Sequence, residues 1–577
     1  MDEKLPALLE TLEEIAILLE LSGENPFKVN AYRNAARVLE ANAEALRTRI
    51  ANNTLTEIKG IGEGIAAKII EFYDSGTIKL HEELSKKIPE GVLTMLKIPG
   101  LGPKKILALW KRLNIDSLDK LQEACRSKKI RRLEGFGEKT EIKILKGLED
   151  VKANAERYLL VDALLMAERL VSKVRALPGA AQIEVGGSLR RRVETVHDID
   201  ILVVRYATKE GRCLSDSIAD LFESEEITAH GDTKVSVKLN RGPNVDFRIV
   251  SKRAFPYALC YFTGSKAHNT RLRAIAKDKK LKLNEYGLFK GTRSKMCTDE
   301  AALYRALGLD YIPPPLREDL GEIEAAREGT LPRLITRDDI KGILHVHTHY
   351  SDGLNSLAEM AKAARDLGMS YMGVAEHSHS AQYAAGLSVD KIYQQHKEID
   401  LLNKHDPSIR VFKGIESDIL PDGGLDYEDD VLKTFDFIIG SVHSRFNLSK
   451  TEQTKRIIKA IENPHLTMLG HLTGRLLLVR PGYEIDSDKI IDAAIANGVI
   501  VEFNCNPQRF DIDWRVLRKA KDKGLLTSIN PDAHSVGGLR DVYWGVDVIQ
   551  KAWIEKESVL NTFTMAEVEK IFRKRKR

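Results

Sequence analysis

Eleven of the fifteen histidines fall after residue 341, and most of them close a short apolar run. GILHVHTHYSDG supplies His345, His347 and Asp352, and YMGVAEHS supplies His377. VFKGIESD supplies Glu416, FIIGSVHS supplies His443, MLGHL supplies His471, and TSINPDAHS supplies Asp532 and His534. VIVEFN, ending at Asn504, is a further apolar run on which no ligand is expected. From about Gly342 these runs alternate with helical patterns, which predicts βα units around a parallel sheet or barrel. Seven strands that each deliver polar residues at their C-terminal ends follow the logic of a βα-barrel active site. A lone histidine in such a place is usually a core or surface residue, but nine ligand-type residues in register after strands are not. They exceed what one ion uses. Two or three divalent ions would employ them, and the mixed N/O set favours Mn²⁺ or Zn²⁺.

At 577 residues the chain exceeds one core and predicts roughly three to five domains. Hydrophobic content of 43% beside 30% charge is that of a soluble, packed protein. No apolar run approaches the roughly 18 residues of a membrane span. The start, MDEKLPALLETLEEIAILLE, is acidic and amphipathic rather than a signal peptide. Cys125, Cys213, Cys260, Cys297 and Cys505 form no CxxC pair, which predicts buried thiols in a reducing cytoplasm. The net charge of +5 is unevenly spread: Lys97–Arg132 holds eleven Lys/Arg against three acids, and Lys266–Lys295 ten against two. Patches of that sign suit a polyanion such as nucleic acid, although either alone also fits a solvated helical face. The terminal RKRKR reads as a frayed tail.

Residues 1–150 read as short helices separated by glycine turns, with a repeat: IKGIGEGIAAKII at 58–70, LKIPGLGPKKILAL at 96–109 and LEGFGEKTEIKIL at 133–145. The pairs Gly60/Gly62, Gly100/Gly102 and Gly135/Gly137 each allow a tight turn whose backbone N–H groups face outward at a helix start. Such a turn receives a phosphate without reading sequence. Lys104 and Lys105 follow the second turn inside the basic stretch.

In EVGGSLRRRVETVHDIDILVV, Asp198 and Asp200 are two apart on a predicted strand and project from one face. NVDFRIV at 244–250 adds Asp246. Three clustered carboxylates repel unless a divalent cation bridges them, and two Mg²⁺ or Mn²⁺ held this way activate a hydroxyl and stabilise a leaving oxygen. The Gly187-Ser188 turn offers backbone N–H groups to a phosphate, and Arg191 can pair with its oxygens. Acids that merely solubilise an edge strand are the plainer alternative.

The glycine repeats resemble the helix-hairpin-helix modules of DNA-repair proteins, with Na⁺ or K⁺ expected at the turns. Together with NAYRNAARVL at 30–39, the first copy resembles the lyase domain of family X DNA polymerases. That resemblance implies a Schiff-base nucleophile at Lys68 with Tyr32 beside it. The chain departs from it at Gly64, where vertebrate members have a second lysine, and at Phe27, where they have a histidine. GGS followed by DxD resembles the nucleotidyltransferase palm of the DNA polymerase beta superfamily, and YFTGSKAHNTRLR with LNEYGL resembles the family X thumb. The match implies Tyr261 and Phe262 under the nucleotide sugar and Gly264 at a close backbone approach. It also implies Asn269 against the incoming base and Arg273 against the template. Asn244 stands where eukaryotic members carry an arginine near the primer end. The C-terminal pattern resembles the PHP (polymerase and histidinol phosphatase) family of metal-dependent phosphoesterases. His349, His379, His396, His405 and His465 do not match its motif.

The predicted fold is multidomain: an all-α helix-hairpin-helix N-terminal region, an α/β (α+β) nucleotidyltransferase palm and thumb, and a C-terminal PHP (β/α)7 distorted barrel. The expected boundaries are 1–80 (lyase-like helical domain), 81–150 (two further hairpin motifs), 151–255 (palm), 256–312 (thumb), 313–341 (charged, proline-rich linker) and 342–577 (PHP domain). The resemblance implies a gap-filling DNA polymerase of base-excision repair with a PHP nuclease that processes 3′ ends or abasic sites. Its partners would be gapped or nicked double-stranded DNA and deoxynucleoside triphosphates. It would be a monomer of the cytoplasm, associated with the nucleoid and not with membranes. Two rival readings are a DNA-binding scaffold with an inactive palm, and a PHP phosphatase for a small phosphomonoester fused to a DNA-binding module.

Overall fold

The computed structural model describes residues 4–41, 46–98, 101–154, 156–206, 213–240 and 242–575. Two compact units emerge, one of Met1–Ala155 with Leu478–Arg480 and one of Glu156–Leu477 with Pro481–Arg577. Among the described residues no helix is long and apolar enough to cross a membrane.

The first unit is helical. Its core is built from one apolar stripe per helix, beginning with Leu8, Leu12, Ile15 and Leu19 on Leu5–Leu21, which packs closely on Pro26–Ala41. Three short 3₁₀ turns, Leu55–Glu57, Met95–Lys97 and Ile130–Arg132, precede three helices, Glu63–Ser75, Pro103–Leu113 and Glu138–Asn154. Gly60 (φ +104°) and Gly135 (φ +83°) take the left-handed backbone that these turns demand.

The second unit contains two sheets that matter for function. The palm sheet comprises β1 (Ala180–Val185), β2 (Asp198–Arg205), β3 (Glu226–Gly231), β4 (Lys234–Lys238) and β5 (Asn244–Val250), in the order β1-β2-β5-β4-β3. Only β2 and β5 run parallel. The helix Leu160–Arg175 packs on this sheet through Leu160, Ala163, Ala167, Leu170 and Val174.

The barrel strands are β6 (Gly342–Val346), β7 (Tyr371–His377), β8 (Arg410–Asp418), β9 (Phe437–Ser441), β10 (Met468–Leu469), β11 (Ile500–Asn504) and β12 (Thr527–Asn530), all parallel and in sequence order. The first strand meets the segment after the last: the His347 amide donates to the Ala533 carbonyl (2.9 Å), and the Ala533 amide to that of His345 (3.2 Å). The sheet is thereby a nearly closed seven-stranded barrel. One contiguous cluster of buried apolar side chains runs from the palm sheet into the barrel.

Segment 313–341, a linker by composition, is instead packed. Arg317 and Glu322 are fully buried. Glu322 accepts from His268 Nδ1 (2.6 Å) and from the Asp319 and Leu320 amides, while Arg317 pairs with Glu300 (2.6 Å). The buried charges of this segment are met by an opposite charge or by hydrogen-bond donors, some of them distant in sequence, which composition cannot reveal.

Candidate active sites

In the palm, β2 and β5 align Asp200 with Asp246, and Asp198 with Asn244. Because strand side chains alternate, the three carboxylates share one face. Burial, together with the charges of Asp198 and Asp246, pushes Asp200 up to about 7. Burial would raise Asp246 too. Hydrogen bonds from Ser236 Oγ (2.6 Å) and Lys234 Nζ (3.0 Å), with Arg248 at 2.8 Å, outweigh it and hold Asp246 below its ordinary value. A like-charged cluster of hard oxygens that draws in neighbouring cations is a donor set that Mg²⁺ or Mn²⁺ fits.

The Gly-Gly-Ser turn is built against this cluster. Gly187 has φ +61°, and a Cβ there would lie 2.6 Å from Asp200 Oδ2, so no side chain fits. The Gly186 amide donates to the Asp200 carbonyl (2.8 Å). Ser188 lies in the short helix Gly187–Arg190, and Arg191 follows it. Arg191 Nη1 donates to the Thr263 carbonyl (2.5 Å), which ties the turn to the thumb helix Phe255–Thr263.

At the end of that helix Tyr261 and Phe262 pack edge to face (5.2 Å), and the Arg248 guanidinium lies over the Phe262 ring (4.8 Å). Gly264 has φ +73°, and a Cβ there would press on Arg191 Nη1 at 3.0 Å. Asn269 Nδ2 donates to the Tyr261 carbonyl (2.6 Å). Tyr261, Asn269 and Arg273 line one small cavity together with Tyr257, Cys260, Leu283 and Asn284.

In the barrel the nine predicted residues gather at the C-terminal ends of the strands. His347, Asp352, His377 and His534 form one group with ligand atoms within 4.8 Å of one another; His345, His347 and Asp532 form a second, and His377, Glu416 and His443 a third. His471 belongs to none of these but places Nε2 2.9 Å from Glu416 Oε1. The groups share His347 and His377, so they are one contiguous centre.

Several buried atoms here have no hydrogen-bond partner among the described residues: His345 Nε2, both ring nitrogens of His347, Asp352 Oδ1, His471 Nδ1 and Asp532 Oδ1. His377 Nδ1 and Glu416 Oε2 approach to 2.8 Å, also without hydrogen-bond geometry. Convergent lone pairs left unpaired among the described residues fit divalent cations. Burial, reinforced by His534 and His377, pushes His347 down to about 3 and keeps it neutral, as a ligand must be. At His443 burial is outweighed by the Glu416 charge and the Asp418 hydrogen bond, which raise it to about 10. His345 and Asp532 take positive φ values (+60° and +52°), strained conformations of the kind that cluster at functional sites.

Sequence reasoning overlooked the residues that orient these ligands. The VIVEFN strand contributes to none of the three groups, yet it is not functionally blank. Glu502 is fully buried, accepts from His345 Nδ1 (2.6 Å) and from the His471 amide (2.7 Å), and so fixes two predicted ligands. Asp418 does the same for His443 Nδ1 (2.5 Å). Glu376 holds Thr348, Ser351 and Gln395 around the first loop. Each lies at the end of an apolar run, the signal that marked the ligands themselves.

In the helical unit, Gly62 and Gly102 cap their helices, and the amides of Thr140 and Glu141 bond back to the Gly137 carbonyl. Gly100 lies outside the described residues. Lys104 is exposed, and Lys105 sits over the Phe136 ring (5.9 Å). Lys68 Nζ is 2.6 Å from Glu71 Oε2, an ion pair that must open before the amine could attack a sugar carbon. Tyr32 is buried beside it, and Phe27 is 85% exposed.

Comparison with known proteins gives four family matches. They are a helix-hairpin-helix domain over 4–78, a SAM-like helix-hairpin-helix tandem over 92–150, a DNA polymerase beta thumb over 258–318 and a PHP domain over 344–506. The DNA polymerase/3′-5′ exonuclease PolX of Bacillus subtilis (strain 168) is 39% identical over 566 residues, 97% of this chain and 98% of that protein. A probable phosphatase of Thermoanaerobacter sp. (strain X514) is 28% identical over 236 residues, 39% of this chain and 91% of that protein. The crystal structure of Leishmania infantum polymerase beta, a ternary P/T complex, matches at 22% identity and a TM-score of 0.26, covering 40% of this chain and 100% of that one.

Proposed function

The chain belongs to the family X DNA polymerases that carry a PHP domain, the family of PolX, and from that membership we propose how its two sites divide the work. The protein is a DNA-directed DNA polymerase combined with a PHP 3′-5′ exonuclease. In our reading it fills short gaps in base-excision repair and trims or unblocks 3′ ends.

At the palm, Asp198, Asp200 and Asp246 would hold two Mg²⁺ or Mn²⁺, which would supply the chemistry by which a primer 3′-OH is extended with a deoxynucleoside triphosphate. The Gly187-Ser188 turn and Arg191 would orient the triphosphate, and Tyr261, Phe262, Gly264 and Asn269 would shape the sugar and base subsite. Arg273 would contact the template. At the barrel, the nine His, Asp and Glu residues would hold two or three Mn²⁺ or Zn²⁺. Such ions, when bound, lower the pKa of an attacking oxygen and stabilise the leaving one. The glycine turns, with Lys104 and Lys105, would grip the DNA backbone on either side of a gap, with Na⁺ or K⁺ at the turns. Lys68 would act as a lyase nucleophile only after release from Glu71. The boundaries 1–80, 81–150, 151–255, 256–312 and 342–577 belong to this reading, as do a monomeric state and a cytoplasmic, nucleoid-associated location.

The observation that carries the polymerase reading is the register of Asp200 against Asp246 beside Gly187, a position where no side chain fits. A gapped, end-labelled DNA assayed with Mg²⁺ or Mn²⁺, with and without nucleotides, tests both halves. Asp198→Ala should abolish extension and spare shortening, and His345→Ala should do the reverse. If Asp198→Ala extends as wild type, the palm is a scaffold and the reading fails. The resemblance of 39% of the chain to a probable phosphatase favours a second reading of the barrel site, removal of a terminal 3′-phosphate. A 3′-phosphorylated primer that becomes extendable, with no nucleotide lost, would select it.

A further inference from the structure

The segment that follows the Gly-Gly-Ser turn, Arg190–Glu194, is gripped at Arg190, Arg191, Arg192 and Glu194. Arg190 is held from the thumb by Glu300 (2.7 Å) and Thr263 Oγ1 (2.8 Å). The next contacts come from the C-terminal third of the chain. Arg192 Nε is 3.3 Å from Asp547 Oδ2. Glu194 accepts from Trp514 Nε1 (3.1 Å) and Arg515 Nη1 (2.7 Å). Between them reaches Lys551, whose side chain is wholly buried. Its ammonium donates to Glu318 Oε1 (2.6 Å), to the carbonyl of Arg191 (3.0 Å) and to that of Pro315 (3.4 Å), and lies over the Trp514 ring (4.7 Å).

Glu318 Oε1 is also the oxygen to which Arg191 Nε donates (3.1 Å). One carboxylate therefore stands between two cations, one from the barrel side and one from the nucleotide side. A carboxylate paired with Arg191 alone would cancel its charge. Shared with a buried ammonium, it leaves the three groups with a net positive charge. Burying a lysine is costly, and here a carboxylate and two carbonyl oxygens offset that cost.

We infer that Lys551 is a positioning residue of the polymerase site. By sharing Glu318 with Arg191, and by fixing the Arg191 carbonyl, it keeps the Arg191 guanidinium placed, with its charge incompletely neutralised by Glu318, for an incoming triphosphate. The PHP module is in this sense a structural part of the nucleotide site and not merely an appended nuclease. This rests on the reading of Arg191 as a triphosphate contact.

Steady-state primer extension on gapped DNA, with the nucleotide varied, tests it in four variants of the full-length protein. Lys551→Met should raise the nucleotide KM about tenfold and leave kcat within about twofold, the effect of one charge acting through one shared carboxylate. Lys551→Arg should recover most of the loss. Glu318→Gln added to Lys551→Met should also recover it, because removing the carboxylate frees Arg191; a purely structural role would make the two losses add. Exonuclease rates at wild-type level establish that the fold is intact in each variant. A wild-type KM in Lys551→Met, or a double variant no better than the single one, overturns the inference. Arg191→Ala separates the two levels. If it leaves KM unchanged, the reading of Arg191 fails and the inference with it. If it raises KM while Lys551→Met does not, the inference alone fails.

Discussion

Asp200 and Asp246 sit opposite each other on two parallel palm strands, and the Gly187 Cα packs so close to Asp200 that a methyl there would meet its carboxylate oxygen at 2.6 Å. The same cluster that repels itself is thus pressed against the turn proposed to hold a triphosphate. Asp200→Asn should lower primer extension by about 10³-fold or more, the equivalent of several kcal/mol of metal-borne charge stabilisation. At pH 8, above the value to which Asp200 is pushed, it should also raise the melting temperature of the protein in EDTA, because one of three like charges is gone. Calorimetry with and without EDTA checks this; a lower melting temperature in EDTA would sink the account of the cluster.

Gly187→Ala combines a left-handed backbone with a steric collision. The strain is on the order of 1–2 kcal/mol before the Asp200 contact is counted. Extension on gapped DNA should drop at least about tenfold, because relieving the collision displaces the turn proposed to hold the triphosphate, and about 1.4 kcal/mol of lost transition-state stabilisation is tenfold in rate, while 3′ shortening is unchanged. Equal loss of both activities would mean that the whole fold, and not the turn, had been damaged.

Glu502 touches no ion in our reading but holds His345 and the His471 backbone. Glu502→Gln should weaken Mn²⁺ activation of the exonuclease by about 10–100-fold, the usual effect of removing an orienting partner of a metal ligand. A Mn²⁺ titration of 3′ shortening measures it, with extension as the internal control. An unchanged titration curve would leave Glu502 as packing only.

Glu300 is buried between Arg190 (2.7 Å) and Arg317 (2.6 Å). Burial opposes its ionisation, but the charges of Arg317 and Arg190 win and lower it from 4.5 to about 2. A depressed carboxylate stabilises the fold above its unfolded value and loses that contribution as pH falls through 4.5 towards 2. The contribution is on the order of 3 kcal/mol. Glu300→Gln should therefore be less stable at pH 7, and its urea midpoint should change less between pH 7 and pH 3 than that of wild type. Parallel pH profiles for the two proteins would refute the linkage.

The residue patterns of both sites were legible in the chain itself. GGS with DxD, and polar residues closing successive apolar runs, are local signals, because a strand fixes which side chains share a face and which end of it is exposed. The glycine turns announced the helical region for the same reason: a positive φ leaves its mark on a single residue.

What local pattern could not carry was partnership. Glu502 and Asp418 look like any acid at a strand end until the barrel brings His345 and His443 against them. Segment 313–341 has the composition of a solvated linker, yet Arg317 and Glu322 are buried because Glu300 and His268 meet them there. Lys551 is one lysine among many in sequence, and only folding sets it, 360 residues from Arg191, on the carboxylate that both share. Sequence determines which chemistry is available, since that depends on side-chain type and on the few residues around it. Tertiary structure decides which charges neutralise, orient or release one another, because those energies depend on distances that only the packed chain defines.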